Sequence, residues 1–475
     1  MYTEDDLLPL SALQHIIFCR RQCALGSQGD GVKIQDNDSM IKSIAKALFC
    51  IAMLFVFPLT LNAFVEPPTI EIIKPVPTAT YYIDAAAGDG GDGSLFAPWN
   101  DIMDANNKVQ PGALIKIRGT FTGPDSIQTW SQSGMAGNEI VFEPWGDAVA
   151  VIEFPLGIGW NGSGNNIIID GGPDKKIIFD GHALVNKYNL QTYGNNVTFY
   201  RIKSVNNHKD AGLTTGTNIS ITGGDGIRII NSEVSGCPSV GIYPQRGVNI
   251  EIRNNIIRDN GGTGIQFNPH FEDLAVENVV VSGNAIYNNG AITDRSNIIV
   301  TNTGIYDTTY VNNVVIANNL IWGSAVAGIA VGERNLLSKV GGVKIYNNTI
   351  YANTISGIWI NKNNESYSNP IIANNIIYAN GSDLTGGNGE DCVENNNLTI
   401  DPLFLSADLA DNNFLMITES SPAKDSGLDV GIITDYSGSP RPWGIDYDIG
   451  AYEYINQAGQ TDTTAPGAPN SLHIE

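Results

Sequence analysis

Positive charge is what this sequence is short of. Its 475 residues hold 26 Lys+Arg against 49 Asp+Glu, a formal net charge of −23. Nucleic acid and anionic membrane surfaces both demand a basic face, so this balance argues against either as a partner. Cysteine is scarce too: of five in the chain, only Cys237 and Cys392 lie beyond residue 63. Two cysteines so far apart define no disulfide framework, and both read as small buried side chains. A helical apolar stripe is missing from the whole stretch 196–380. Charged residues make up 16% of the chain and 52 residues are glycine. That is the composition of a β-solenoid, not of a disordered chain.

What is present is repetition. VNIEIRNNIIRDNGGTGIQF (248–267), NNVVIANNLIWGSAVAGIAV (312–331) and GGVKIYNNTIYANTISGIWI (341–360) share one pattern. Each has an alternating β-branched run, an asparagine pair, a second apolar pair and a Gly-Ile-x strand. Looser copies are NVVVSGNAIYNNG (278–290) and NPIIANNIIYANG (369–381). The key asparagines fall at Asn255, Asn284, Asn319, Asn348 and Asn375, with steps of 29, 35, 29 and 27 residues. Units of this length stack because none buries its apolar face alone. Short alternating strands separated by turns, once per unit, predict an all-β fold, a right-handed parallel β-helix over 81–455. Asparagine suits its turns because it tolerates left-handed φ, and stacked asparagines can hydrogen-bond from coil to coil.

The flanks divide differently. MIKSIAKALFCIAMLFVFPLTLNAF (40–64) has a basic start, an apolar run over 47–61 and a small-residue end at Leu61-Asn62-Ala63. That reads as a secretory signal peptide over 40–63, too short for a lasting membrane span, so a secreted or cell-surface protein is expected. Residues 64–80, with Pro67, Pro68, Pro75 and Pro77, read as an extended leader. MYTEDDLLPLSALQHIIFCRRQCAL (1–25) resembles the start of the CRISPR-associated exonuclease with a RecB-like fold and an iron–sulphur cluster. There, Cys19 or Cys23 would match a cluster ligand. Nothing downstream matches that nuclease's metal site, so 1–39 reads as a stray extension from a fusion or a wrong start codon. TDTTAPGAPNSLHIE (461–475) resembles the lead-in to a fibronectin-type or sorting domain, and 456–475 reads as a linker.

The stretch YYIDAAAGDGGDGSLFAPWNDIMDANNKVQPGALIKIRGTFTG (81–123) resembles the entry into secreted right-handed β-helix proteins, many similar to polysaccharide lyases. SGMAGNEIVFEPWG (133–146) matches their first coils, and DYSGSPRPWGIDYDIGAYEY (435–454) their C-terminal closing segment. The resemblance implies a short amphipathic capping helix over 101–109.

Aligning the Gly-x-x strands at Gly212, Gly241, Gly264, Gly304, Gly328 and Gly357 puts Leu or Ile inward. The outward column then reads Thr214, Tyr243, Gln266, Tyr306, Ala330 and Trp359. Tyr243, Gln266, Tyr306 and Trp359 are the expected substrate-binding residues, because pyranose C–H faces pack on aromatic rings. Beside these strands lie Asn206-Asn207-His208-Lys209-Asp210, Gln245-Arg246 and Asn268-Pro269-His270-Phe271-Glu272-Asp273. A β-eliminating lyase needs a base, an acid for the leaving oxygen, and a cation on the uronate carboxylate. The lyase resemblance implies Lys209 or Arg246 as base and His270 as acid. Asp210, Glu272 and Asp273 are then the Ca2+ ligands. A glycosidase would instead pair carboxylates drawn from Asp210, Asp225, Glu272 and Asp307. The chain carries no signature of one lyase family. The expected partner is an acidic polysaccharide and the expected state a monomer. The rival class is a non-catalytic glycan-binding or stalk protein.

Overall fold

The computed structural model describes residues 66–455, apart from 123–127, 154–159, 182–187, 208–214, 270, 271, 273, 294, 304–307, 333–338, 362–368 and 387–391. The stray extension, the signal peptide and the C-terminal linker lie outside the described residues. So do His208, Lys209, Asp210, His270, Asp273, Tyr306 and Asp307. The described residues fall within one compact unit.

The chain winds through three stacks of parallel strands. The first face runs from Ala79–Asp84 through Ile167–Asp170 and Ala275–Ser282 to Val393–Asn395. The second runs from Ala150–Glu153 through Glu233–Ser235 to Ile376–Tyr378. The third runs from Gln128–Trp130 through Thr217–Asp225 to Leu384–Thr385. Because alternation is conserved from coil to coil, like stacks on like inside. Ile252, Val281, Ile316, Ile345 and Ile372 line the first face; Ile257, Ile286, Ile321, Ile350 and Ile377 line the second. Ile242, Ile265, Ile298, Ile329 and Ile358 line the third, all fully buried. Burying one such side chain contributes about 1.5–3 kcal/mol, so the periodic core holds the coils together.

The asparagine pairs divide the work of the first corner. The first member takes the left-handed φ: 55° at Asn254, 53° at Asn318, 49° at Asn347 and 56° at Asn374. The second member turns inward and forms a ladder. Nδ2 of Asn255, Asn284, Asn319, Asn348 and Asn375 donates to Oδ1 of the next asparagine, ending on Asn397, at 2.9–3.0 Å. Its other N–H goes to a core-strand carbonyl, as from Asn319 to Val281 O at 2.9 Å. Each amide of this ladder is thereby satisfied, the condition for a polar group inside a core.

A second ladder fills the corner between the second and third faces. It runs Asn189, Asn218, Asn260, Asn289, Asn297, Asn353 and Asn380. It explains the Gly-Ile-x signal. A Cβ at Gly241, Gly264, Gly328 or Gly357 would come within about 3 Å of a ladder amide, at 2.8, 2.8, 3.0 and 2.9 Å. Where the ladder asparagine itself occupies this position, glycine is absent: the strands read Asn218-Ile219-Ser220 and Asn297-Ile298-Ile299. This corrects the strand alignment. Ser220 and Ile299, not Thr214 and Tyr306, hold those two outward places.

The first and last described segments lie along the outside. Left-handed asparagines of the first corner point outward and clasp them. Asn254 donates to Pro68 O at 2.6 Å and Asn231 to Ile70 O at 2.7 Å, fixing the proline-rich leader. Lys74 adds ion pairs to Glu143 and Asp170. Farther along, Asn318 donates to Thr434 O, Asn347 to Asp448 O and Asn374 to Leu428 O. The segment expected to close the solenoid therefore runs alongside it. It packs Phe414, Tyr436 and Tyr452 over Tyr287 and Trp322 of the second face. Where a helix over 101–109 is expected, a single turn forms, Ile102–Ala105. Asp101 caps it by accepting the Met103 amide at 2.7 Å, and the left-handed Asn107, φ 67°, follows its end. Cys237 is a buried free thiol whose ionisation burial pushes up to about 12. Cys392 is buried against the main core. Among the described residues no helix is long and apolar enough to cross a membrane.

Candidate functional site

Leader and tail attach along the first corner and the second face, which leaves the third face as the outward surface they do not contact through the bonds described above. Its outward line reads Asn161, Gln191, Ser220, Tyr243, Gln266, Ile299, Ala330, Trp359 and Thr385. Neighbouring strands lie about 4.8 Å apart, so Tyr243 and Trp359, four strands apart, are separated by roughly 19 Å. Two aromatics thus stand on this face with Gln266, Ile299 and Ala330 between them, rather than a continuous aromatic column.

The early part of the line is polar and closed. Gln191 is 4% exposed, and its Oε1 has no hydrogen-bond partner. Ser220 is buried and accepts from Gln245 Nε2 at 3.0 Å, which also lies 3.4 Å from the Tyr188 hydroxyl. Tyr243 is half-buried; its hydroxyl lies 3.5 Å from Asn268 O and 3.4 Å from Asn268 Nδ2. Burial pushes the Tyr243 phenol up to about 12 against the opposing pull of Asn268. It stays protonated at neutral pH and serves as a donor, not a base.

A bulge re-aims the chain just after Tyr243. Ile221 pairs with Pro244 and Thr222 with Arg246, so Gln245 is the extra residue. The shift brings Arg246 out beside Thr222, where it is exposed. Glu272, the other described member of the expected cluster, is also exposed. The chain enters the third face at Thr217 and leaves after Phe267. Among the described residues no three His, Cys, Asp or Glu side chains converge as a cation site would require.

The late part of the line is open. Trp359, 36% exposed, lines a cleft of about 230 Å3 together with Ile299, Ala330, Arg295 and Asn361. A planar cation, an exposed indole and a carboxamide here face one space. Arg295 escapes repeat alignment because it lies on the turn ahead of Ile298–Val300, outside the strand pattern. Its signal in the sequence is its place two residues before the ladder residue Asn297.

A family model described as a right-handed beta helix region matches residues 157–305 and 217–401. No curated relative matches the chain in sequence. Among solved structures, the fold is similar to that of pectate lyase Pel9A, with a TM-score of 0.61 at 18% identity, covering 80% of this chain and 98% of that one. A rhamnogalacturonan lyase aligns at a TM-score of 0.44 and 12% identity, over 72% of this chain and 97% of its own. At these identities the likeness is one of fold.

Proposed function

Given that the chain belongs to the right-handed β-helix family, we propose that its third face works on an acidic polysaccharide and cleaves it by β-elimination. The cleft at Arg295, Trp359 and Asn361 carries this reading. A uronate ring offers a C–H face to the indole, a carboxylate to the guanidinium and hydroxyls to the carboxamide. Guanidinium and carboxylate match in a planar, two-point fashion that an ammonium cannot reproduce. On a chain of net charge −23, a polyanion needs such a local cation to be held at all. The polysaccharide lyases among proteins of similar fold are consistent with this class of substrate.

In the elimination, a base takes the proton from C5 of the uronate. The electron pair of that bond forms the C4=C5 double bond, the C4–O bond breaks, and the departing oxygen receives a proton. Arg246 and Lys209 are the candidate bases and His270 the candidate acid. Tyr243 and Ile299 stand two strands apart, so Arg246 and the cleft sit roughly 10 Å apart along the axis, a span the polymer bridges. Asp210, Glu272 and Asp273 are proposed to hold Ca2+. Among the described residues no such site is assembled. Export through the signal at 40–63, with cleavage near Ala63, belongs to the same proposal and is read by sequencing the N-terminus of the exported protein.

The test is incubation with pectate, alginate and chondroitin, with and without Ca2+, following ultraviolet absorbance of the unsaturated uronate. A rise abolished by Arg246→Ala makes Arg246 the base, and one abolished only by Lys209→Ala moves the role there. No rise on any polymer, with chain lengths unchanged, contradicts elimination and leaves the glycan-binding or stalk class.

A further inference from the structure

The continuous aromatic stack of this protein is on the second face, not the third. Tyr287, Trp322, Tyr351 and Tyr378 occupy the same outward place on successive strands. The tail buries the first two: each is 4% exposed, their rings stack at 4.2 Å, and Phe414 meets Trp322 edge-on at 5.1 Å. The cover stops short of the last two. Tyr351 and Tyr378 remain half-buried, 6.4 Å apart and 29° from parallel, with Phe404 edge-on to both at 5.9 and 6.4 Å. Together with Asp401, Thr418 and the exposed Ala407 they line an open cleft of about 490 Å3.

We propose that this cleft is a second sugar-binding site, separate from the third face, and that it takes an uncharged polysaccharide chain. The argument is chemical complementarity. Tyrosine and phenylalanine rings offer apolar surface to the C–H faces of a pyranose, and tyrosine presents a polar handle beside it. Among the described residues, neither the Tyr351 nor the Tyr378 hydroxyl has a hydrogen-bond partner, so both are available to a ligand. Asp401 Oδ1 accepts the Leu403 amide at 2.9 Å, which leaves Oδ2 to accept from sugar hydroxyls. No basic side chain lines the cleft. A carboxylate at the mouth, on a chain of net charge −23, repels uronates and admits neutral sugars. The volume lies within the range of about 300–1,000 Å3 typical of small-ligand sites. The chemistry of the two clefts is therefore opposite: a cation beside one exposed indole on the third face, a carboxylate beside paired phenols on the second. One site engages a charged polymer while the other holds the protein on a neutral one.

The test is affinity electrophoresis of the full chain through gels containing xylan, glucomannan or mixed-linkage glucan, with pectate as the charged comparison. At least one neutral polymer should retard the wild type, and Tyr378→Ala should weaken that retardation at least tenfold. Ala407→Trp fills the cleft from an exposed position without touching the core and should do the same. Arg295→Met, on the other face, should leave it unchanged. The proposal is overturned if no neutral polymer retards the protein, or if Ala407→Trp retards as the wild type does. It is also overturned if sedimentation shows a dimer that Ala407→Trp dissolves, since the cleft then belongs to a second copy through the exposed Leu403 and Leu405. Loss of elimination activity with neutral-polymer binding retained would count against the third-face reading alone.

Discussion

Asn319 carries more hydrogen bonds than any apolar residue beside it could replace. Its Nδ2 donates to Asn348 Oδ1 and Val281 O, and its Oδ1 accepts from the amide and Nδ2 of Asn284. Asn319→Ala orphans several buried groups at once, each costing about 1–3 kcal/mol. The expected result is a loss of roughly 3 kcal/mol or more, read from urea denaturation. A loss below about 1 kcal/mol would mean that the ladder is incidental to stability. The asparagine spacing was legible because one amide per coil must recur at one corner. Which member of each pair turns inward was not, since both tolerate the corner and only core geometry separates their roles. The second ladder was hidden for a related reason. It draws Asn260 from the end of one strand and Asn297 from the start of the next, so it keeps no fixed period.

At the scale of elements, the strands of the third face show how far pattern reading reaches. Gly241, Gly264, Gly328 and Gly357 mark strands because a neighbouring amide needs the space. The same rule misleads at Gly304, since the strand of that coil, Ile298–Val300, follows the ladder residue Asn297 directly and needs no glycine. The second-face stack was readable and passed over: Tyr287, Trp322, Tyr351 and Tyr378 each stand three residues after a ladder asparagine. The tail that covers it contains a buried ionic group. Arg441 pairs with Glu453 at 2.5 Å, beside Asp435 and Asp448. Burial pushes the Asp435 and Asp448 carboxyls up to about 6. Their folded values lie above the unfolded carboxylate range, so the folded state binds more protons between about pH 4 and 6. Stability therefore rises as pH falls through 6 toward 4, and the ionisation cost is fully present above pH 7. Melting should occur at higher temperature at pH 5 than at pH 8, and Asp448→Asn should flatten the difference. Equal melting at both values in the wild type would contradict this account of the tail.

Over the whole molecule, the solenoid, its corner asparagines and its alternating core were written in the sequence, because each rests on a periodic requirement. The candidate site was not, because its residues sit where the period breaks. Arg246 emerges through a bulge, and Arg295 lies ahead of the strand Ile298–Val300, off the outward line. Trp359 was expected on the outward line because it follows the regular strand pattern; Arg295, beside the same cleft, was not expected because it lies off that line. The leader and tail attach along the first corner and the second face, which leaves the third face, the proposed site of polysaccharide binding, clear of those contacts.

The proposed role of the third face is tested most directly by measuring pectate and alginate binding to wild type, Arg295→Met and Trp359→Ala. Affinity electrophoresis with calorimetry as a check supplies the readout. The account predicts that each substitution weakens binding about tenfold, roughly 1.4 kcal/mol, with folding unchanged. Binding of both acidic polymers at wild-type strength by both variants would contradict it and move the polysaccharide off the third face.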